Sequence, residues 1–137
     1  MSQISISLPH VFHAGSSQTE SDQVLRILLE SLVSINLVFL ANHAVPRLYE
    51  SGVVYGRTRV WEPIPALYIR RYGDCKSLSA ALIAEYRRAG QEARPVFRWE
   101  KDPHNPNKTN YHILVQKADG TFECPSKRLG MNARREY

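Results

Sequence analysis

Cys75 is one of two cysteines in this 137-residue chain, and it stands where an apolar-periodic helix begins, in Tyr72-Gly73-Asp74-Cys75-Lys76-Ser77-Leu78-Ser79-Ala80-Ala81. The chemistry open to a thiol there is nucleophilic attack. Gly73 gives a flexible entry and Asp74 is a favoured N-cap, so Cys75 is predicted in the first helical turn, among backbone N–H groups without intrahelical partners. Those groups, the positive end of the helix dipole and the charge of Lys76 all favour thiolate over thiol. The alternative is structural: a small apolar residue buried at a helix start.

A nucleophilic thiol needs a base, and the chain offers five histidines. His10 and His13 flank Val11 and Phe12, His43 follows the first helix, and His104 lies in the polar run Lys101 to Asn110. None of these has a context that points to catalysis. His112 differs, because Tyr111-His112-Ile113-Leu114-Val115 reads as a β-strand of apolar and β-branched residues. A strand and a helix terminus are rigid enough to fix a Cys–His contact of hydrogen-bond length. Taken by itself, a strand histidine is a structural residue.

A third group would orient the imidazole, and two neighbours compete for that place. If Asp119-Gly120 is a two-residue turn, strand parity puts Glu123 on the face of His112. If the loop is Ala118-Asp119-Gly120 with a bulge at Gly120, Cys124 shares that face and Glu123 points away. A carboxylate would support the imidazolium, whereas a neutral thiol is only a weak acceptor. The residues alone leave both registers open.

The elements that position these side chains are also marked. Ser2 to Leu8 alternates like a strand, and the polar stretch Gly15-Ser16-Ser17-Gln18 closes an N-terminal segment, 1–18, ahead of the first helix. That helix is predicted to begin after Thr19 or Ser21, with Val24, Leu25, Leu28, Leu32, Ile35 and Phe39 as its core stripe, and to end before Pro46. A shorter helix follows through Tyr49 to Gly52, then an extended stretch from Val53 to Trp61, then a helical turn over Ala66 to Arg71 after Pro63 and Pro65. The second long helix runs from Cys75 to Arg88, buries Leu78, Ala81, Leu82 and Tyr86, and stops at Gly90. Strands near Ala93 to Glu100, Tyr111 to Lys117 and Thr121 to Cys124 come last, with a two-proline loop between the first pair. Helices first and strands last is the order of an α+β domain. Trp61 and Trp99 read as packing residues.

With 137 residues and 43% hydrophobic content, the chain can bury a core as a single domain, 1–137. Two cysteines are no disulfide framework, and an imidazole between them would keep them apart, which points to synthesis in a reducing cytoplasm. The N-terminus lacks the basic and apolar regions of a secretory signal, and the apolar segment Ser31 to Ala44 is too short to cross a bilayer, so no membrane partner is expected. The net charge of +5 is scattered over pairs such as Arg70 and Arg71 or Arg87 and Arg88, without a basic helix face or interleaved aromatics. Acidic protein partners or a solvated surface fit that pattern better than nucleic acid. The polar tail 132–137 is expected to be mobile, or ordered only against a partner.

The ordered set of Gly73-Asp74-Cys75 opening a helix, the strand Ala93 to Trp99, the strand carrying His112, and Asp119 through Pro125-Ser126 to Met131 resembles the transglutaminase-like cysteine superfamily. The likeness is greatest to short phage-encoded members, and it spans roughly Leu37 to Met131, including Val45 to Gly52 and Trp61. The resemblance implies a papain-like α+β fold, with N-terminal helices packed on a small antiparallel sheet and the nucleophile at the start of the central helix. It also implies a Cys-His-Asp triad that needs neither metal nor cofactor. Carried over by position, Cys75 is the nucleophile and His112 the base, while the acid's place before Pro125 is held by Cys124. Lys76 and Ser77 stand where the family has acidic residues. That alignment favours the three-residue loop and leaves Glu123 as the fallback acid. Two functions follow. One is a thiol-dependent amide or peptide hydrolase or acyl-transferase, in which Cys75 attacks a carbonyl and His112 carries the proton. The other is a non-catalytic phage structural or assembly protein, made in the host cytoplasm and carried in the virion, that keeps the core as a protein-binding module.

Overall fold

The computed structural model describes residues 3–9 and 17–131. His10, His13 and the tail 132–137 lie outside the described residues. Helix α1 (Gln18–Asn42) is opened by Ser17, whose hydroxyl accepts from the Glu20 N–H at 3.0 Å, one turn earlier than the expected start. Its buried face is Leu25, Leu29, Leu32, Val33 and Asn36. Ile35, expected in the core stripe, is 54% exposed, because that stripe follows Leu29, Val33 and Asn36 instead. The fully buried Asn36 carries structural weight: its Oδ1 accepts from the Ile64 N–H at 2.8 Å and ties α1 to the start of α2 (Ile64–Arg70).

At 25 residues, α1 extends well beyond the start of the apolar segment Ser31 to Ala44 and is long and apolar enough to cross a membrane by length and composition. One of its faces nevertheless packs into the protein's own core. Between α1 and α2 the chain makes a 3-10 turn at Leu48–Glu50, shorter than the expected helix, and a two-residue strand, β1 (Val54–Tyr55). β1 pairs in parallel with β2 (Tyr72–Gly73), a pairing that such short segments do not announce in sequence. The segment Gln3 to Pro9 forms no strand, although it alternates as expected: Ile4 and Ile6 are exposed and no neighbouring strand supplies hydrogen bonds.

Helix α3 (Cys75–Arg88) has the expected bounds but not the expected exposure, since every residue from Lys76 to Ala84 is buried. Ser77, Ser79, Ala80, Ala81 and Ala84 are small enough for other elements to close around it. α1 packs along one side, while β3 (Ala93–Asp102), β4 (Asn105–Lys117) and α4 (Pro125–Arg128) cover others. The N-terminal helices therefore meet the sheet chiefly through α3, although α1 also touches β3 directly. At the chain reversal after α3, Gln91 N–H bonds back to Tyr86 O at 2.9 Å, closing the helix through Gly90.

The sheet is antiparallel, in the order β3-β4-β5, with β5 at Phe122–Glu123, giving a mixed α+β architecture. β3 and β4 extend beyond their expected ends, since the two-proline stretch is the tip of their hairpin. Asp102 holds that tip by accepting from the His104 N–H at 2.8 Å and from Asn110 Nδ2 at 3.1 Å. A Cβ added at Gly73 would sit 2.6 Å from Leu67 Cδ1, so the fully buried Leu67 side chain would have to shift. Gly73→Ala is therefore expected to cost about 1–3 kcal/mol of unfolding free energy in urea. An unchanged midpoint would show that this junction ahead of α3 is loosely packed.

Candidate functional site

Cys75 is the first residue of α3, and Asp74 caps the helix by accepting from the Lys76 N–H at 3.2 Å. The local signals thus place the sulfur where the sequence puts it. Its protonation state is another matter, because the thiol is pushed up to about 11. Burial is the main cause and the Asp74 charge the next, while an Ile113 backbone hydrogen bond and Lys76 act in the opposite direction and do not prevail. Lys76 favours the thiolate as expected, but burial and Asp74 outweigh it. Its ammonium is buried, paired with the Asp74 carboxylate and bonded to Thr58 O at 3.0 Å, so its charge is largely met there. Tyr55 and Tyr111 complete the electrostatic surroundings, each with its phenol pushed upward first by burial and then by the Cys75 charge.

His112 lies on β4 opposite Arg98, one residue before the Ile113 that bonds to Cys75. Its Nε2 is 3.1 Å from Cys124 Sγ. The same sulfur accepts from the Lys127 N–H at 3.4 Å, making Cys124 the N-cap of α4. Burial pulls the imidazole below its usual range, Lys127 and Arg98 pull it further, and Glu100 opposes them. The ring is therefore held neutral beside a thiol partner.

The hairpin register decides why a thiol occupies this place. Val115 pairs with Glu123, Lys117 N–H bonds to Thr121 O at 2.9 Å, and Gly120 takes φ +84°, so the loop has three residues. Alternation then sends Cys124 to the face of His112 and Glu123 to the other. Glu123 does not face His112. Its carboxylate accepts from the hydroxyls of Tyr49 and Tyr86 and lies 3.9 Å from Lys117 Nζ. Both phenols are held neutral, first by burial and then by the hydrogen bond to Glu123, with Tyr86 pushed up to about 12. The two tyrosines come from the 3-10 turn and from α3, and nothing in the spacing of Tyr49, Tyr86 and Glu123 marks them as partners before the chain is folded.

Trp99 Nε1 donates to Asp22 at 3.3 Å and its ring sits 5.6 Å from Tyr111, which makes it a packing residue. Among the described residues, no group of three His, Cys, Asp or Glu side chains is arranged to hold a metal ion. Two open clefts, of about 680 and 560 Å³, are lined by other residues and reach none of Cys75, His112 and Cys124. No family model, curated protein or solved structure matches this chain.

Alkylation rate follows the thiolate fraction, so a group raised to about 11 should react slowly at neutral pH, with a rate that climbs until the pH passes that value. Site-resolved mass spectrometry of iodoacetamide labelling should give Cys75 a profile still rising above pH 10. A plateau for Cys75 below pH 8 would contradict the electrostatics described here.

Proposed function

We propose that the chain is a transglutaminase-like module of phage type, on a papain-like core, that has kept the cysteine and histidine but performs no amide chemistry. It acts as a protein-binding component of a virion or of its assembly, after synthesis in the host cytoplasm. The observation that carries this reading is the contact of His112 Nε2 with Cys124 Sγ at 3.1 Å, where a triad needs a carboxylate. Without that charge, the imidazolium formed during proton transfer has no buried counter-ion, and loss of the corresponding acid in a serine-protease triad lowers turnover by about 10⁴. A buried neutral thiol and a carboxylate committed to two tyrosines support the same reading. The position of Cys75 at a helix N-terminus, against the backbone of Ile113, favours a second reading, a thiol-dependent hydrolase or acyl-transferase.

The two readings separate in one pair of variants. Cys124→Asp places a carboxylate beside His112 and retains an N-cap for α4, so it should raise the His112 pKa in an NMR titration with an unchanged melting temperature. Wild type should release no amine from glutaminyl or peptidyl amide substrates, and Cys75→Ala should fold and bind as wild type does. Turnover by wild type that Cys75→Ala abolishes would overturn the non-catalytic reading in favour of the hydrolase.

A further inference from the structure

We infer that the cleft of about 560 Å³ between the end of α1, the segment after it, the C-terminal half of α3, and α4 is a docking site for a short acidic peptide segment bearing aliphatic side chains. The inference rests on the protein-binding reading and names its partner chemistry. Leu40, Val45 and Leu82 give the cleft an apolar lining, and Arg47, Arg88 and Arg128 bring three guanidinium groups to it. What distinguishes this cleft is that its cations are unspent.

Among the described residues, the side chains of Arg47 and Arg88 make no hydrogen bond or ion pair, and the charge of Arg47 is felt at Glu85. Arg128 lies 4.1 Å over the Tyr49 ring, which leaves its N–H groups free to point outward from the ring. In the 680 Å³ cleft, by contrast, Arg87 is bound by Glu30 at 2.7 and 2.9 Å, and Arg94 donates to Gln116 at 2.7 Å. Two acidic residues also line the candidate site. Glu85 is committed to the Leu48 N–H at 2.7 Å, and Glu50 is exposed. The lining thus sets three guanidinium groups against the two carboxylates of Glu50 and Glu85, a positive excess, and the chain's net charge of +5 attracts the same class of partner at longer range.

The Tyr49–Glu123–Tyr86 hydrogen bonds brace this cleft, because both tyrosines line it and Glu123 joins the 3-10 turn to α3 from behind. Glu123 thereby gains a positioning role for a binding surface. A carboxylate pair on the ligand would engage Arg47 and Arg88 while an adjacent leucine-sized side chain enters the apolar lining.

The test is selection of the full chain against a displayed library of random twelve-residue peptides, followed by affinity measurement on the enriched sequences. Enriched peptides should carry Asp or Glu next to Leu, Ile or Met, should weaken as salt rises, and should lose at least tenfold in affinity to the double variant Arg47→Glu/Arg88→Glu. Both arginines are exposed, so that variant should melt as wild type does; Arg47→Gln/Arg88→Gln should show a smaller loss. No enrichment, enrichment without acidic residues, or binding untouched by either double variant would overturn the site. Acidic peptides that are bound and then cleaved or acylated would instead uphold the site and overturn the non-catalytic reading.

Discussion

The enclosure of α3 is the constraint on which the rest of the molecule depends. Nine consecutive buried residues, Lys76 to Ala84, mean that this helix has no solvent face along most of its length. Such a helix is tolerated because its small residues let α1, the sheet and α4 close in and because its polar groups find partners. Ser77 Oγ accepts from the Glu62 N–H at 3.0 Å, and Ser79 Oγ donates to Ile113 O at 3.3 Å. The second of these bonds joins α3 to the strand that carries His112. Cys75 inherits its surroundings from the same arrangement. A helix terminus stabilises a negative charge by about 0.3–1 kcal/mol when exposed, whereas full burial can raise a thiol by several pKa units. Here burial prevails.

A second constraint is the length of one loop. Three residues between β4 and β5 fix the parity that puts Cys124, not Glu123, beside His112. The two neighbours then serve different parts of the fold. Cys124 caps α4 and faces the imidazole, while Glu123 locks two tyrosines behind a basic cleft on the opposite side of the hairpin. Loop length alone thus assigns the two neighbouring side chains to opposite faces of the hairpin.

Much of this was legible in the residues. The bounds of α3, its Asp74 cap and the location of His112 on a strand follow from local capping and alternation, which act over a few residues. The face of α1 was harder to read. Apolar side chains surround that helix, so periodicity alone did not separate Leu29 and Val33 inside from Ile35 outside. The hairpin tip was missed because Pro103 and Pro106 suggest a loop, while the turn is secured by the Asp102 side chain. The state of the thiol is hidden in sequence for a different reason. Asp74 is the cap and Lys76 the favourable cation that the residues suggest, but the burial that outweighs the cation arises only when the chain is folded. The tyrosine pair around Glu123 depends on contacts between residues far apart in the chain, which no local pattern encodes.

The central claim is that Cys75 and His112 are both uncharged at neutral pH. An NMR titration that resolves the ¹⁵N signals of the His112 ring tests it most directly, because a neutral tautomer and an imidazolium differ in both ring nitrogens. The predicted result is a neutral ring at pH 7 that takes up its proton only below the usual histidine value of about 6.5. An imidazolium that persists above pH 7 and discharges together with the Cys75 thiolate would contradict the account and identify a working nucleophile pair.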